Sequence, residues 1–520
     1  MLRRLFRQSS VYALTSVASK LSGLVLLAFY GDPDVLSQAD FGYLGGLDAA
    51  KMFALLVASA GMSLGIIRFA SSSALGEAER RAVPATALAI SAAAAVLTVA
   101  AGWLFAPELA RLVFVQGGQT QTSLGAAAQA EAVRWMLVYV AFRTVSDVSY
   151  SVLRQRERAG AFVLLGAAES AVLVACVVGF LLAGRGLVGV MQGYALSAAI
   201  VAAVATPALL SRVERRVRWG LVRPLLVFGL PLVASGFASR FLNFGDRFLI
   251  LHLLGPEANA VYEWAARFGG VLNALLVSSF TLAFTVLGLK ALDETGSPEL
   301  HRQAFRHFAA LGGWVALGLG LFTGDVSRLL APEQPEFWGV GGLVVLIAGG
   351  FAFQGLYYVV VNVLYAAERT RSVALAVGAA ALLNVGLNLA LIPTWGIAGA
   401  AAATFVAYAA LTVSTALVAQ RATPVAYPWR ALGAVVALAG GLWLAAAPTE
   451  AWAAGPRLAV RLAAALAYVP GLWAVGVYGP AEWRRGLAVL RGWGREHAGS
   501  TGPPGPGAGR VDSPSGPGLD

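Results

Sequence analysis

Residues 161–183 read AFVLLGAAESAVLVACVVGFLLA, a run in which Glu169 is the single charged side chain. A helix needs about 20 apolar residues to cross the hydrocarbon of a bilayer, and this run supplies them. The pattern recurs along the chain. Comparable segments begin near Val11, Phe41, Pro84, Ala132, Ala161, Leu187, Leu225, Ala260, Phe305, Phe337, Ser372, Ile397, Ala431 and Leu458. The expectation is an all-α polytopic membrane protein with about 14 transmembrane helices.

The composition agrees. Hydrophobic residues make up 58% of the 520, charged residues 12%, and mean hydropathy is +0.72. A soluble domain carries about 25% charged residues. The net charge of +11 does not call for a nucleic-acid partner, because the arginines sit in short clusters between apolar runs. Arg3/Arg4/Arg7, Arg68/Arg80/Arg81, Arg154/Arg156/Arg158 and Arg212/Arg215/Arg216/Arg218/Arg223 occupy alternate connections of the first half. Lys290/Arg302/Arg306, Arg369/Arg371, Arg421/Arg430 and Arg484/Arg485/Arg491/Arg495 continue the series. The connections between them are acidic or neutral, as with Asp32/Asp34/Asp40 and Asp325/Glu333/Glu336. Positive loops stay cytoplasmic, so both termini are expected in the cytoplasm. The opening MLRRLFRQ runs into a retained first helix rather than a cleaved leader. Residues 497–520, rich in Gly, Pro and Ser, cannot bury a core and are expected to be disordered.

The halves of the chain repeat. Ala18-Ser19-Lys20 returns as Ala238-Ser239-Arg240, and Phe41-Gly42-Tyr43 parallels Ala260-Val261-Tyr262. Glu157-Arg158 parallels Glu368-Arg369, and Gly186-Leu187-Val188-Gly189 parallels Gly396-Ile397-Ala398-Gly399. The order is kept at an offset of roughly 210 to 220 residues. An even number of spans per half makes the repeats parallel, related by an axis along the membrane normal. Residues 1–215 are read as a six-helix N-lobe (spans 1–6) and 216–422 as a six-helix C-lobe (spans 7–12). Residues 423–496 add two further transmembrane helices, and 497–520 form the tail.

Ionisable groups inside spans cost roughly 2.5–3.5 kcal/mol each on insertion scales and mark function or pairing. Asp48/Lys51 lie three apart, and Arg143/Asp147 and Glu263/Arg267 four apart, so each pair shares a helix face. Arg240, Asn243 and Arg247 fall on one face of span 7, while Asp246, next to Arg247, is expected to point elsewhere. Lys20 and Arg240 lack an acid three or four residues away and occupy matching repeat positions. Unpartnered cations at a lobe interface suit a phosphate or diphosphate. Span 4 carries the stripe Tyr139, Arg143, Asp147, Tyr150, Arg154, and span 10 the stripe Gln354, Tyr358, Asn362, Tyr365. This makes the N-lobe the cationic wall and the C-lobe a wall of amides and aromatic faces for sugars. Asn384 and Asn388 read as glue between helices. Tyr12, Tyr30, Trp103, Trp135 and Trp395 near span ends read as interfacial belts. The single cysteine, Cys176, cannot form an internal disulfide, and four scattered histidines assemble no metal set, so no metal or cofactor is implied.

Three stretches carry a family resemblance. Leu36-Ser37-Gln38-Ala39-Asp40-Phe41-Gly42 leads into span 2. Span 7 runs Phe228-Gly229-Leu230-Pro231, Gly245-Asp246-Arg247, Leu254-Gly255, with Tyr262 beyond. Asn384 through Leu391-Ile392-Pro393 is followed by Gly396-Ile397-Ala398-Gly399-Ala400-Ala401. The chain resembles, over roughly residues 5 to 480, the polysaccharide and oligosaccharide flippases of the multidrug/oligosaccharidyl-lipid/polysaccharide exporter superfamily. The resemblance implies a non-enzymatic carrier of a polyprenyl-diphosphate-linked oligosaccharide, from cytoplasmic to outer leaflet of the inner (plasma) membrane. A monomer is expected, because two repeats already make a closed cavity, with glycosyltransferases of the same pathway as candidate partners. Spans 1, 2, 7 and 8 line the central cavity of such proteins, which singles out Lys20, Lys51, Arg240 and Arg267. Arg143, Arg247, Tyr358 and Asn362 join them as substrate contacts. An arginine-rich first span marks the lipid II flippases of the superfamily, and Ser16-Val17-Ala18-Ser19-Lys20 departs from it. A drug/cation antiporter of the same fold is the alternative, with Asp147 as the candidate coupling acid. A glycosyltransferase or polymerase finds a foothold only in Asp32-Pro33-Asp34, in a loop too short for an acceptor site.

Overall fold

An unpaired backbone N–H or C=O costs several kcal/mol in hydrocarbon, and a helix pairs all of its own. The apolar segments accordingly fold as helices. The computed structural model describes residues 22–114, 124–156, 158–210, 213–214, 216–295 and 298–479. Lys20, Tyr12 and the 497–520 tail lie outside the described residues. We label the helices α1 (22–30), α2 (Gln38–Ser59), α3 (Met62–Ala70), α4 (Glu77–Leu104), α5 (Ala106–Phe114), α6 (Ala126–Gln155), α7 (Ala159–Leu182) and α8 (Gly186–Leu210). The second half gives α9 (Trp219–Leu253), α10 (Pro256–Leu272), α11 (Ser278–Thr295), α12 (Glu299–Leu330), α13 (Gly341–Ala366) and α14 (Thr370–Ala419). Helices α15 (Trp429–Ala446) and α16 (Ala454–Ala474) follow. No strand occurs among the described residues.

By length and composition, nine described helices can cross a membrane, against the about 14 spans expected. The difference has local causes. A left-handed Gly396 (φ +60°) bends α14 into two limbs, which are taken together in that count. A π-helical turn, Asn273–Val277, separates α10 from α11. Helix α6 carries Arg143 and Asp147 in its middle, and α16 carries Arg457 and Arg461.

In the first half α6 packs against α8 and α4, and α7 against α8; in the second, α13 packs against α12 and α14, and α9 against α14. Helix α2 joins the two, lying on α9 and α10. Two glycine contacts set this approach. A Cβ on Gly42 would fall 1.8 Å from the Pro256 carbonyl oxygen, and Asn259 Nδ2 donates to the Gly42 carbonyl at 2.6 Å. At the other end of α2, a Cβ on Gly61 would lie 2.6 Å from the Gly229 backbone. Small residues let backbones touch where lipid supplies no hydrophobic drive for association. Beside the Gly42 contact Trp264 stacks on Phe337 at 4.5 Å, with Phe41 edge-on to both at 6.1 Å. Tyr30, fully buried against Phe41, is therefore a core residue rather than part of an interfacial belt. Trp103 and Trp395 are exposed near helix bends, as a belt position requires.

Helices α15 and α16 pack against α12. Asp325 of α12 accepts from Arg457 Nε at 2.7 Å and Arg461 Nη1 at 2.5 Å, and Glu450 pairs with Arg328 and Arg461. The arginines of α16 are thus buried counter-charges, not loop charges.

The Gly42 contact gives the first prediction. Gly42→Ala should lower the thermal midpoint in detergent by several degrees, since overpacking costs about 1–3 kcal/mol. Gly378→Ala, where an added Cβ meets open space, should leave it unchanged or raise it slightly. Equal midpoints for the two variants would show that the α2–α10 approach is not tight.

Candidate functional site

The junction of α2 with α9 and α10 holds six ionisable groups in a row of alternating sign. Lys51 Nζ meets Asp48 Oδ1 at 2.5 Å, one turn back along α2. Across the junction, Arg267 Nη2 of α10 lies 3.3 Å from Asp48 Oδ2. Arg267 Nε is 3.1 Å from Glu263 Oε1, and Glu263 Oε2 accepts from Arg247 Nε of α9 at 3.2 Å. Arg247 Nη1 reaches Asp246 Oδ1 at 2.7 Å, and Asp246 also accepts from Tyr262 and, at 3.4 Å, from Thr404. Three cations and three carboxylates give a neutral row, and such neutrality is what allows charge in a low-dielectric setting.

Aromatic faces hold the cations. Lys51 Nζ sits 4.0 Å from the Tyr194 centroid and 5.2 Å from that of Tyr139. The Arg267 guanidinium lies 5.2 Å from Tyr30 and 5.4 Å from Phe41. Arg247 is flanked by Phe244 and Tyr262. A cation retained on π-faces keeps its position when a carboxylate partner leaves.

A polar relay continues from Arg247. Its Nη1 donates to the Asn243 carbonyl at 2.9 Å, and Asn243 Oδ1 accepts from Tyr408 at 2.8 Å. Gln354 Nε2 donates to the Tyr408 oxygen at 3.0 Å, and Asn273 Nδ2 donates to Gln354 Oε1 at 2.6 Å. Asn273 opens the π turn, and π turns inside α-helices recur at functional sites.

A second cluster belongs to the first half. Arg143 Nε pairs with Asp147 Oδ1 at 3.0 Å, and Arg143 and Tyr150 both engage Glu169 of α7. Arg240 of α9 is half-buried and makes no hydrogen bond or ion pair among the described residues, although the charge of Asp147 acts on it.

The sequence pairs Asp48/Lys51, Arg143/Asp147 and Glu263/Arg267 all form. Lys51, Arg247 and Arg267 are brought into one row, while Arg143 and Arg240 stand apart from it. Asp246 does face Arg247, contrary to the helical-wheel expectation, because the long arginine side chain folds back toward its neighbour. Cations also come from both halves, so neither wall is uncharged. Asn362 is buried and donates to the Phe284 carbonyl at 3.4 Å, and Tyr358 packs beside Tyr357 in the second-half core. From the span-10 stripe it is Gln354 that joins the relay. Asn388 Nδ2 bonds Asn384 within α14 rather than bridging helices. Tyr194, Tyr408 and Thr404, and the role of Tyr30, escape a sequence reading. A lone tyrosine in an apolar run carries no periodic signal.

The model of the polysaccharide biosynthesis protein family matches residues 5–285, more than half of the chain. No curated protein sequence matches. Among solved structures, the lipid II flippase MurJ in an inward closed conformation is similar with a TM-score of 0.70 and 13% identity, covering 88% of this chain and 97% of that one. The MATE multidrug transporter DinF-BH is similar with a TM-score of 0.55 and 14% identity, covering 80% of this chain and 95% of that one. A MOP superfamily transporter from Pyrococcus furiosus follows at 0.53 and 16%, covering 81% and 95%. This multi-pass membrane protein has the fold of MurJ and the MATE transporters, and it belongs to the polysaccharide biosynthesis protein family.

Proposed function

We propose that this protein is a flippase for a polyprenyl-diphosphate-linked oligosaccharide, carried from the cytoplasmic to the outer leaflet of the plasma membrane. Transport, not catalysis, is its task. One observation carries the reading: the ion-paired row that links α2 to α9 and α10 through exchangeable partners. Residues 1–215 and 216–422 act as two lobes that rock around this row, with 423–496 as two added helices, whose described part packs on α12, and 497–520 as a tail.

A diphosphate offers what Asp48 and Glu263 now offer, oxygen acceptors matched to guanidinium forks. On binding it takes over Arg267 and Arg247 and releases Asp48 from the far side of the junction. The Asp48–Arg267 pair is the ion pair of the row that crosses between the lobes, so its release loosens their junction. Lys51 stays on its tyrosine faces, and the tyrosines and amides of the relay offer stacking and hydrogen bonds to sugar rings. Arg240, with no partner to surrender among the described residues, supplies a second anchor. The protein works as a monomer, because two lobes close one cavity, and glycosyltransferases supply its substrate.

The antiporter alternative draws on Asp147 as a coupling acid. The Arg143 ion pair that Asp147 makes weighs against it, because a coupling carboxylate must be open to its ion.

Two variants test the assignment. Arg240→Ala should cut surface-glycan export about tenfold to a hundredfold, the worth of one charged hydrogen bond of about 1.5–3 kcal/mol. Its thermal midpoint should not change. Arg267→Ala should abolish export and also lower the midpoint, because breaking a buried pair costs about 3–5 kcal/mol. Lipid-linked oligosaccharide should accumulate in cells lacking the protein. Normal export by Arg240→Ala, together with no accumulation, would refute the flippase reading.

Orientation has its own check. An enzyme reporter active only outside the cytoplasm should work when fused after Asp34 and fail when fused after Arg81. The reverse pattern would invert the topology.

A further inference from the structure

A groove of about 740 Å³ opens between α2, α4, α5, α6 and α9. Its lining is apolar except for Thr98, whose hydroxyl is spent on the Ala94 carbonyl at 2.8 Å. Sites for drug-sized molecules carry a few well-placed polar groups that fix orientation. This groove offers none, so its chemistry fits a plain hydrocarbon. Leu97, Phe105 and Leu112 on its rim are all more than half exposed, which opens it sideways toward lipid. It lies along three apolar helices, α2, α4 and α9, each able to cross the membrane.

The back wall is an aromatic seam. Phe53 of α2 packs on Phe237 at 5.7 Å and on Phe248 at 6.2 Å, both from α9. The seam closes the α2–α9 junction on this side, and the charged row lies along the same two helices. Arg240, with no partner among the described residues, stands one turn beyond Phe237. An unsatisfied cation beside an apolar groove is complementary to one kind of molecule, an anionic headgroup on a long hydrocarbon chain.

We propose that this groove holds the polyprenyl chain of the substrate while its phosphate is anchored at Arg240. The inference rests on the flippase reading and adds where the tail travels. The chain stays in an apolar slot at the α2–α9 edge, and the seam parts only as far as one chain requires. Headgroup and tail then cross by separate routes.

The full-length protein in nanodiscs provides the test, with undecaprenyl diphosphate, farnesyl diphosphate and uncharged undecaprenol as probes. Ala101→Trp and Ala54→Phe fill the groove from two different helices without replacing an ionisable residue. Both should weaken undecaprenyl diphosphate binding at least tenfold, leave farnesyl diphosphate unchanged and retain the wild-type thermal midpoint. A photoreactive undecaprenyl chain should label α4 and α5 in the wild type and lose that labelling in both variants. Unchanged undecaprenyl diphosphate binding and labelling in both variants would overturn the groove assignment. Equal binding of undecaprenol and its diphosphate, with Arg240→Ala having no effect, would instead overturn the flippase reading and the Arg240 anchor.

Discussion

A buried charge in a low-dielectric setting is costly unless an opposite charge lies beside it, and the row at the centre of this protein meets that condition. Lys51, Asp48, Arg267, Glu263, Arg247 and Asp246 satisfy one another in a single row. Removing any one member leaves the row with a net charge in a poorly polarisable environment. The row lies at the middle of α2, the connector of the two halves. Its backbone is held by glycine contacts at its ends, and its middle by ion pairs that reach α10.

The same requirement divides the charges into two kinds. Those of α12 and α16 are paired among Asp325, Arg328, Glu450, Arg457 and Arg461, away from the junction. They fasten the last two helices to one side of the molecule. Those at the junction face across it, joining α2 to α10 and α9.

The fold is legible in the sequence because spans are a property of composition, and 161–183 alone is diagnostic. The pairs at three- and four-residue spacing are legible for the same local reason: one helix places both partners. What the sequence does not reveal depends on the other helices. Asp48 and Arg267 are 219 residues apart, and nothing local announces their contact. Tyr30 looks like an interfacial anchor until Phe41 and Arg267 close over it. Asp246 defies the helical wheel because a wheel projects Cβ directions, whereas an arginine side chain is long enough to turn back.

That separation of 219 residues carries a further meaning. Gln38 Nε2 donates to the Glu257 carbonyl over the same interval, and it is also the offset at which Phe41-Gly42-Tyr43 matches Ala260-Val261-Tyr262. Residues at equivalent positions of the two halves therefore touch, as they do on the rotation axis of a symmetric dimer. In such a dimer each of these positions would meet its own copy, and an aspartate would face an aspartate. Asp48 against Arg267 resolves that conflict by making the halves unlike at the place where they meet. One polypeptide can carry an acid at one of these positions and a base at its counterpart, which two identical chains could not.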